Sequence, residues 1–247
     1  MIVNIEQPSH KDIIALAGQM PRISAGSMVS EESFHNHWVA KPWGRESLFF
    51  KNDDVAIWLL EINGLQKTSM HCHTNKNTSL VILGGNAECS TLEAQYNFLQ
   101  GQGIYLGKKV FHQTRNLVKE PLYVLEIESP VDKFDLVRLE DDYGREHQGY
   151  EGKNLYVFEA DLTIPSNSKK LVERKVSISK LQLGFAKSLE DLKLEEHDVL
   201  TILNRHVWTT EGKKVLEVGQ SLLFSDFTGR FAVNNGFYYL ILKRDNT

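Results

Sequence analysis

The chain is poor in cysteine, in proline and in long apolar runs, and it carries no strong excess of charge of either sign. Cys72 and Cys89 are the only cysteines among 247 residues. That is too few for a disulfide framework and suits a reducing compartment. No apolar stretch approaches the ~18–20 residues that span a bilayer, and the run from Ala56 to Leu60 stops at Glu61. Lys and Arg number 28 against 32 Asp and Glu, a formal charge of −4, which excludes a highly basic nucleic-acid binder. With 41% apolar and 24% charged residues, the composition also excludes intrinsic disorder and a collagen-like repeat. Met1 to Ser9 lacks the basic start and apolar stretch of a signal peptide. The expectation is a cytoplasmic protein with neither a membrane nor a nucleic acid as partner. The length allows one large domain or two of moderate size.

One helix is legible near the N-terminus. Ser9 and Asp12 have capping-box spacing, Ile13, Ile14 and Leu16 offer an apolar stripe, and Gly18 and Pro21 supply stop signals. Residues 22–40 read as irregular. From about residue 47, short runs rich in Val, Ile, Leu, Tyr and Phe recur between polar turns, as in Val55–Ile62, Leu80–Leu83, Gly103–Leu106 and Leu122–Ile127. That pattern predicts an all-β sandwich or barrel. Arg145–Asn154, with Gly149 and Gly152, reads as a linker or boundary. The second half then repeats the first. Leu80–Leu83 matches Leu200–Leu203, Gly101 with Ile104–Leu106 matches Gly219 with Leu222–Phe224, and Leu122–Ile127 matches Phe237–Leu242. Shared order, spacing and glycine position favour two copies of one β unit over a chance likeness of β domains.

The strongest chemical signal is His71-Cys72-His73. On a strand, His71 and His73 share a face and Cys72 takes the other. The two imidazoles then form either a bidentate metal platform or a pair of hydrogen-bonded histidines at a strand end. Cys72, facing away, reads as a packing residue rather than a nucleophile. His112 follows a Gly-rich approach from Gly101 and precedes Asn116.

This arrangement resembles the cupin superfamily, with Gly64, His71, His73 and Gly85 fitting its first motif and Gly101, His112 and Asn116 its second. The resemblance implies two tandem jelly-roll barrels after an N-terminal helix and arm (residues 1–40): a metal-binding barrel over residues 41–148 and a degenerate one over 155–247. It also implies one divalent ion (Zn, Ni, Mn or Fe) held by His71, His73 and His112. The sequence departs from the motif where the family's Glu ligand belongs, which falls on Thr78 or, with shorter spacing, Asn77. It departs again at Gly107 and Lys109, where the family tends to have Pro and Gly. Three neutral histidines still suffice to hold an ion and leave it open positions.

The flanks resemble a narrower group. Lys41-Pro-Trp-Gly-Arg-Glu46 and the segment Val131 to Arg145, ending Asp-Asp-Tyr-Gly-Arg, look like the cupin domain of type II phosphomannose isomerases, often fused to mannose-1-phosphate guanylyltransferase. This implies a small sugar or sugar phosphate as ligand and isomerase or epimerase chemistry. Lys41, Arg45, Arg138 and Arg145 are then candidates for a phosphate contact. The alternative for Arg138 and Arg145 is pairing with Glu140, Asp141 and Asp142. Glu126, Glu128 and Glu61 are candidate bases. Glu126 and Glu128 share a strand face with Val124, and their role depends on whether that face is the interior.

The second half has lost the set, since its matching positions fall near Asp191, Lys193 and Arg230. It reads as structural or oligomeric, with a homodimer expected. Two other functions stay open: a three-His Fe(II) dioxygenase, suggested by the missing carboxylate, and a non-catalytic carbohydrate-binding cupin.

Overall fold

The structure is a computed structural model that describes residues 1–19, 34–146, 150, 155–157, 164, 171–209, 214–227, 231–232 and 236–244. Most of the proposed linker, part of the irregular arm and Arg230 lie outside these residues. In chain order the first half contains β1 (Ile2–Ile5), α1 (His10–Gln19), β2 (His37–Lys41), β3 (Gly44–Lys51), β4 (Ala56–Ile62), β5 (Met70–Cys72), β6 (Asn77–Gly84) and β7 (Ala87–Thr91). It continues with β8 (Gln95–Phe98), β9 (Gly103–Leu106), β10 (His112–Asn116), β11 (Leu122–Ser129), β12 (Val137–Glu140) and β13 (Leu155–Val157). The second half contains β14 (Val172–Val176), β15 (Ser179–Ala186), β16 (Val199–Ile202), β17 (Val207–Thr209), β18 (Lys214–Leu216), β19 (Ser221–Leu223), β20 (Phe231–Ala232) and β21 (Phe237–Arg244). The protein is mostly β, with one short N-terminal α-helix, and no described helix is long and apolar enough to cross a membrane.

An eight-stranded sheet runs β1-β9-β6-β11-β4-β3-β2-β13 and faces a five-stranded sheet, β12-β5-β10-β7-β8. The second half places β19-β16-β21-β15-β14 in one sheet and β18-β17-β20 in another. Its larger sheet repeats the order β9-β6-β11-β4-β3, and its smaller one repeats β8-β7-β10. The repeat is therefore one of topology as well as of residue pattern. No described strand of the second half corresponds to β5 or β12, and its interior is filled by Leu200, Ile202, Phe237, Tyr239 and Ile241.

The central strands β4, β6 and β11 are apolar on both faces because both are covered. Their inner residues, including Trp58, Leu60, Leu80, Ile82 and Val124, belong to the first barrel's core. Their outer residues, Ile57, Leu59, Val81, Leu83, Leu125 and Ile127, pack against Leu181, Leu183, Val199, Leu240 and Leu242. Two sheets thus lie back to back. Hydrogen bonds cross the seam from Ser79 Oγ to the Gly219 carbonyl at 2.7 Å and from Ser179 Oγ to the Leu83 carbonyl at 2.6 Å.

Helix α1 begins as its sequence predicts. Asp12 Oδ2 accepts the Ser9 backbone N–H at 2.8 Å, and the Asp12 N–H reaches Ser9 Oγ. The apolar stripe differs from expectation. The buried line is Asp12, Leu16 and Gln19, whereas Ile13 and Ile14 are exposed. Positions 12, 16 and 19 follow the i, i+4, i+7 spacing of one helix face, and Ile13 and Ile14 fall off it. Leu16 packs with Met70, Cys72, Phe111 and Val137 on the outside of the smaller sheet, and Asp12 Oδ1 accepts the Phe111 N–H at 2.9 Å. The helix therefore buttresses the strands that carry the histidines.

Candidate metal centre

Strand alternation sends Met70 and Cys72 outward to α1 and turns His71 and His73 inward. Burial pushes the Cys72 thiol far above its ordinary value, consistent with a packing residue. On the neighbouring strand His112 lies directly opposite His71. The approach to His112 keeps a glycine-like path despite its composition. Lys109 takes φ +69°, in the left-handed region, and donates its N–H to the His73 carbonyl at 2.6 Å. Asn116 closes the motif from the other end, its Nδ2 donating to the carbonyls of Ile62 and Glu120 at 3.0 and 2.7 Å.

The three rings converge, with centroids 4.4 Å apart for His71–His112, 5.2 Å for His71–His73 and 5.4 Å for His73–His112. Each Nδ1 faces a backbone carbonyl: Ser69 at 2.8 Å, Asp135 at 2.6 Å and Val110 at 3.0 Å. A carbonyl only accepts, so each Nδ1 carries the proton and each Nε2 keeps its lone pair. Nε2 of His73 and of His112 is buried with no hydrogen-bond partner. Burial lowers all three pKa values, to about 4 for His112, and holds the rings neutral. Neutral imidazoles with tautomers set by carbonyls are what a divalent ion requires.

The missing carboxylate is supplied from a different strand. Ligand atoms of His71, His73, His112 and Glu126 all lie within 4.8 Å of one another. The Val124 face of β11 is the barrel interior, so Glu126 and Glu128 both point into the cavity. Burial, then the neighbouring Glu128, push the Glu126 carboxyl up to about 7. Thr78, where the motif places its Glu, lies opposite Glu128 in the β6–β11 pairing, and its Oγ1 is buried without a partner. Asn77 instead accepts the Lys108 N–H at 3.2 Å through Oδ1. The donor set thus fits a divalent ion, with three neutral imidazoles and one carboxylate.

The remaining candidates divide by face. Glu61 and Arg45 lie on the outer side of the large sheet, paired with each other at 2.6 Å, with Arg45 stacked over Trp38 at 4.1 Å. Neither lines the cavity, which corrects the expectation of a base and a phosphate contact there. Alternation on β3 and β4 explains the placement, since Glu46 and Leu60 take the inner side. Lys41, Arg138 and Arg145 do line the cavity, which is small, about 60 Å³, and opens to solvent. Arg145 also makes the pairing anticipated for it, with Asp141 at 2.7 Å.

Three functional candidates were missed by sequence reasoning: Lys76, Lys133 and Glu46. Lys76 Nζ contacts Glu128 Oε1 at 2.6 Å and the Asp132 carbonyl at 2.8 Å, deep in the interior. Lys133 Nζ contacts Glu46 at 2.9 Å and sits 3.6 Å above the Trp58 ring. Charged residues in or beside a loop read as solvated, and Arg45-Glu46-Ser47 ahead of the continuous apolar run Leu48-Phe49-Phe50 gives no alternation to mark Glu46 as inward.

Asp135 organises this wall. Its carboxylate accepts from Thr74 N and Thr74 Oγ1 at 2.8 and 2.6 Å and from Asn75 N at 2.8 Å, while its carbonyl holds His73. Asp135→Ala removes the carboxylate that holds the Thr74–Asn75 loop and keeps the backbone carbonyl that faces His73, so it loosens that acceptor without deleting it. The expected result is a loss of metal affinity of up to about 10-fold, the low end of the cost of disturbing a partner that orients a ligand, read by chelator competition.

Residues 29–141 match the family described as mannose-6-phosphate isomerase C-terminal. The xanthan biosynthesis protein XanB of Xanthomonas campestris pv. campestris is 26% identical over 118 residues, covering 47% of this chain and 25% of that protein. A mannose-1-phosphate guanylyltransferase of Klebsiella pneumoniae is 26% identical over 109 residues, covering 43% and 23%. The chain thus spans about a quarter of the length of these relatives. Among solved structures, a conserved protein with a double-stranded β-helix domain from Klebsiella pneumoniae has a TM-score of 0.38 at 14% identity, covering 46% of this chain and 92% of that one.

Proposed function

Because residues 29–141 form a cupin domain of the mannose-6-phosphate isomerase C-terminal family, we propose that the protein is a metal-dependent enzyme acting on a sugar phosphate by isomerisation. The observation that carries this reading is the convergence of His71, His73, His112 and Glu126 beside a second buried carboxylate, Glu128. A divalent ion held by the first four would act as a Lewis acid and stabilise negative charge developing on a substrate oxygen. The chain's own residues supply the rest. Lys76 fixes Glu128 through Oε1, and Glu128 Oε2 is buried and has no protein partner. That oxygen is the acceptor for a proton or hydroxyl of the ligand. Trp43, Leu60, Leu80 and Leu136 wall the cavity and limit water around it. The dioxygenase reading rested on the absent carboxylate, and Glu126 removes that ground.

The test is isomer interconversion followed by NMR after loading with Zn²⁺, Mn²⁺, Ni²⁺ or Co²⁺, with mannose 6-phosphate and fructose 6-phosphate as substrates. Turnover is expected in the wild type, with a loss of at least about 100-fold in Glu128→Gln at equal metal content, within the range of general-base contributions. Metal and sugar phosphate binding without turnover would assign the protein to the non-catalytic cupins instead.

A further inference from the structure

Two buried polar atoms on the inner face of the large sheet have no protein partner, and they belong to residues that stand opposite each other. Thr78 on β6 faces Glu128 on β11 in the strand pairing. Each residue is 1% exposed. Thr78 Oγ1 and Glu128 Oε2 both lack a hydrogen bond. Facing side chains have Cβ atoms ~4.5–5.5 Å apart, so the two oxygens are neighbours that do not bond each other. Buried polar groups are nearly always paired, and two adjacent exceptions require an explanation.

Packing does not call for a hydroxyl here. Leu80, Ile82 and Val124 continue the same inner face, and the residue on β9 that faces Thr78 is Leu106. Valine has the shape of threonine without the polar atom and would fill this position at lower cost. The pair is also kept from closing on itself. Lys76 holds Glu128 Oε1 at 2.6 Å and is itself tied to the Asp132 carbonyl at 2.8 Å. The residues on either side of Thr78 are anchored from the other face of the sheet. Asn77 Nδ2 donates to Glu217 at 3.4 Å, and Ser79 Oγ donates to the Gly219 carbonyl at 2.7 Å. The second barrel thus holds the strand segment that carries Thr78.

The donor and acceptor pattern selects the occupant. A carboxylate oxygen only accepts, whereas a threonine hydroxyl donates and accepts. A ligand hydroxyl donates to Glu128, accepts from Thr78 and satisfies both. A carbonyl or ether offers Glu128 no proton. A cation would meet the Lys76 ammonium already bound to the same carboxylate. Glu128 lines the cavity that contains the three histidines, so the hydroxyl belongs to a ligand that reaches them. We propose that Thr78 is a specificity-determining residue that, with Glu128, clamps one hydroxyl at the reacting end of a polyhydroxylated ligand. The position where the motif expects a metal carboxylate reads the ligand in this chain, and Glu126 stands with the histidines in its place. This deepens the sugar-phosphate reading and rests on it.

The experiment is calorimetric titration of metal-loaded wild type, Thr78→Val and Thr78→Ser. The ligands are mannose 6-phosphate and its two analogues lacking the hydroxyl at C1 or at C2. The wild type is expected to prefer mannose 6-phosphate to one of the analogues by at least about 10-fold, the consequence of leaving buried groups unpaired. In Thr78→Val that preference should fall to about 3-fold or less, with affinity for the analogue unchanged, and Thr78→Ser should retain it. The same preference in Thr78→Val as in wild type overturns the clamp, as does its loss in Thr78→Ser. A wild type that takes up metal but binds no sugar phosphate overturns the functional reading instead. Urea unfolding of the metal-free proteins then decides the clamp without a ligand. Thr78→Val at least as stable as wild type is the expected result. A fall of more than about 10-fold in its folding constant would show that the hydroxyl is already engaged within the protein, and would overturn the proposal.

Discussion

Glu126→Gln is expected to lower metal affinity by more than about 100-fold, beyond the range seen when only an orienting partner is removed, while Thr78→Val leaves it unchanged. The two substitutions oppose the motif's place for a carboxylate to the place where the structure has one. Gln keeps the shape of Glu126 but offers a neutral carbonyl, a far weaker donor to a divalent ion. Thr78 contributes a buried hydroxyl without a partner, and exchanging it for a methyl group removes an unpaired polar atom at nearly constant volume. Metal content by mass spectrometry and competition with a chelator read both variants. Unfolding of the metal-free proteins separates affinity from folding. Glu126→Gln removes a carboxyl that burial already pushes up to about 7, so the metal-free variant should be at least as stable as the wild type. If Glu126→Gln bound metal as tightly as the wild type, Glu126 would belong to the ligand side of the cavity and not to the metal.

What the sequence disclosed of this site follows from the range of its signals. His71 and His73 are related by strand alternation alone, and His112 by a motif a few residues long, so all three are legible locally. Glu126 was legible only as one of a pair whose face was undecided. Alternation along β11 groups Val124, Glu126 and Glu128, but Tyr123, Leu125 and Ile127 on the other face are apolar too. That ambiguity exists because the second barrel covers the back of the sheet. A strand buried on both sides carries no polar face to orient it. Lys76 and Lys133 were illegible for a different reason. Lys76 is buried by the segment between β11 and β12, which brings the Asp132 carbonyl and the Asp135 carboxylate against the loop after His73, and Lys133, on that segment, reaches Glu46 on β3. No local pattern encodes a contact about 55–60 residues away in sequence, as the separations of 56 and 59 show. The helix, its cap and Leu16 were legible, but Ile13 and Ile14 drew the expected stripe off the buried line, which runs through Asp12, Leu16 and Gln19.

The same buried charges make stability depend on acid in a direction fixed by Glu46. Burial acts to raise its pKa, but Lys133, Lys41 and the Tyr150 hydroxyl outweigh it and hold the carboxyl at about 2, down from an ordinary 4.5. A folded value below the unfolded one means that the unfolded chain takes up the proton first as pH falls. The stabilisation is therefore complete above about pH 4.5 and is lost as pH falls toward 2. A displacement of this size corresponds to about 3 kcal/mol at neutral pH. Glu46→Gln removes the charge and leaves Lys41 and Lys133 buried beside each other. Breaking such a pair costs about 3–5 kcal/mol, a large share of the ~5–15 kcal/mol that holds a domain folded. Urea unfolding at a series of pH values from 7 to 2 tests both statements. The variant should be less stable by that amount at pH 7, and the gap should narrow steadily below pH 4.5. A constant gap would place the loss in packing rather than in charge. A full recovery in the double variant Glu46→Gln, Lys133→Met would show that the buried charge of Lys133, and not the missing carboxylate, is what the fold cannot accommodate.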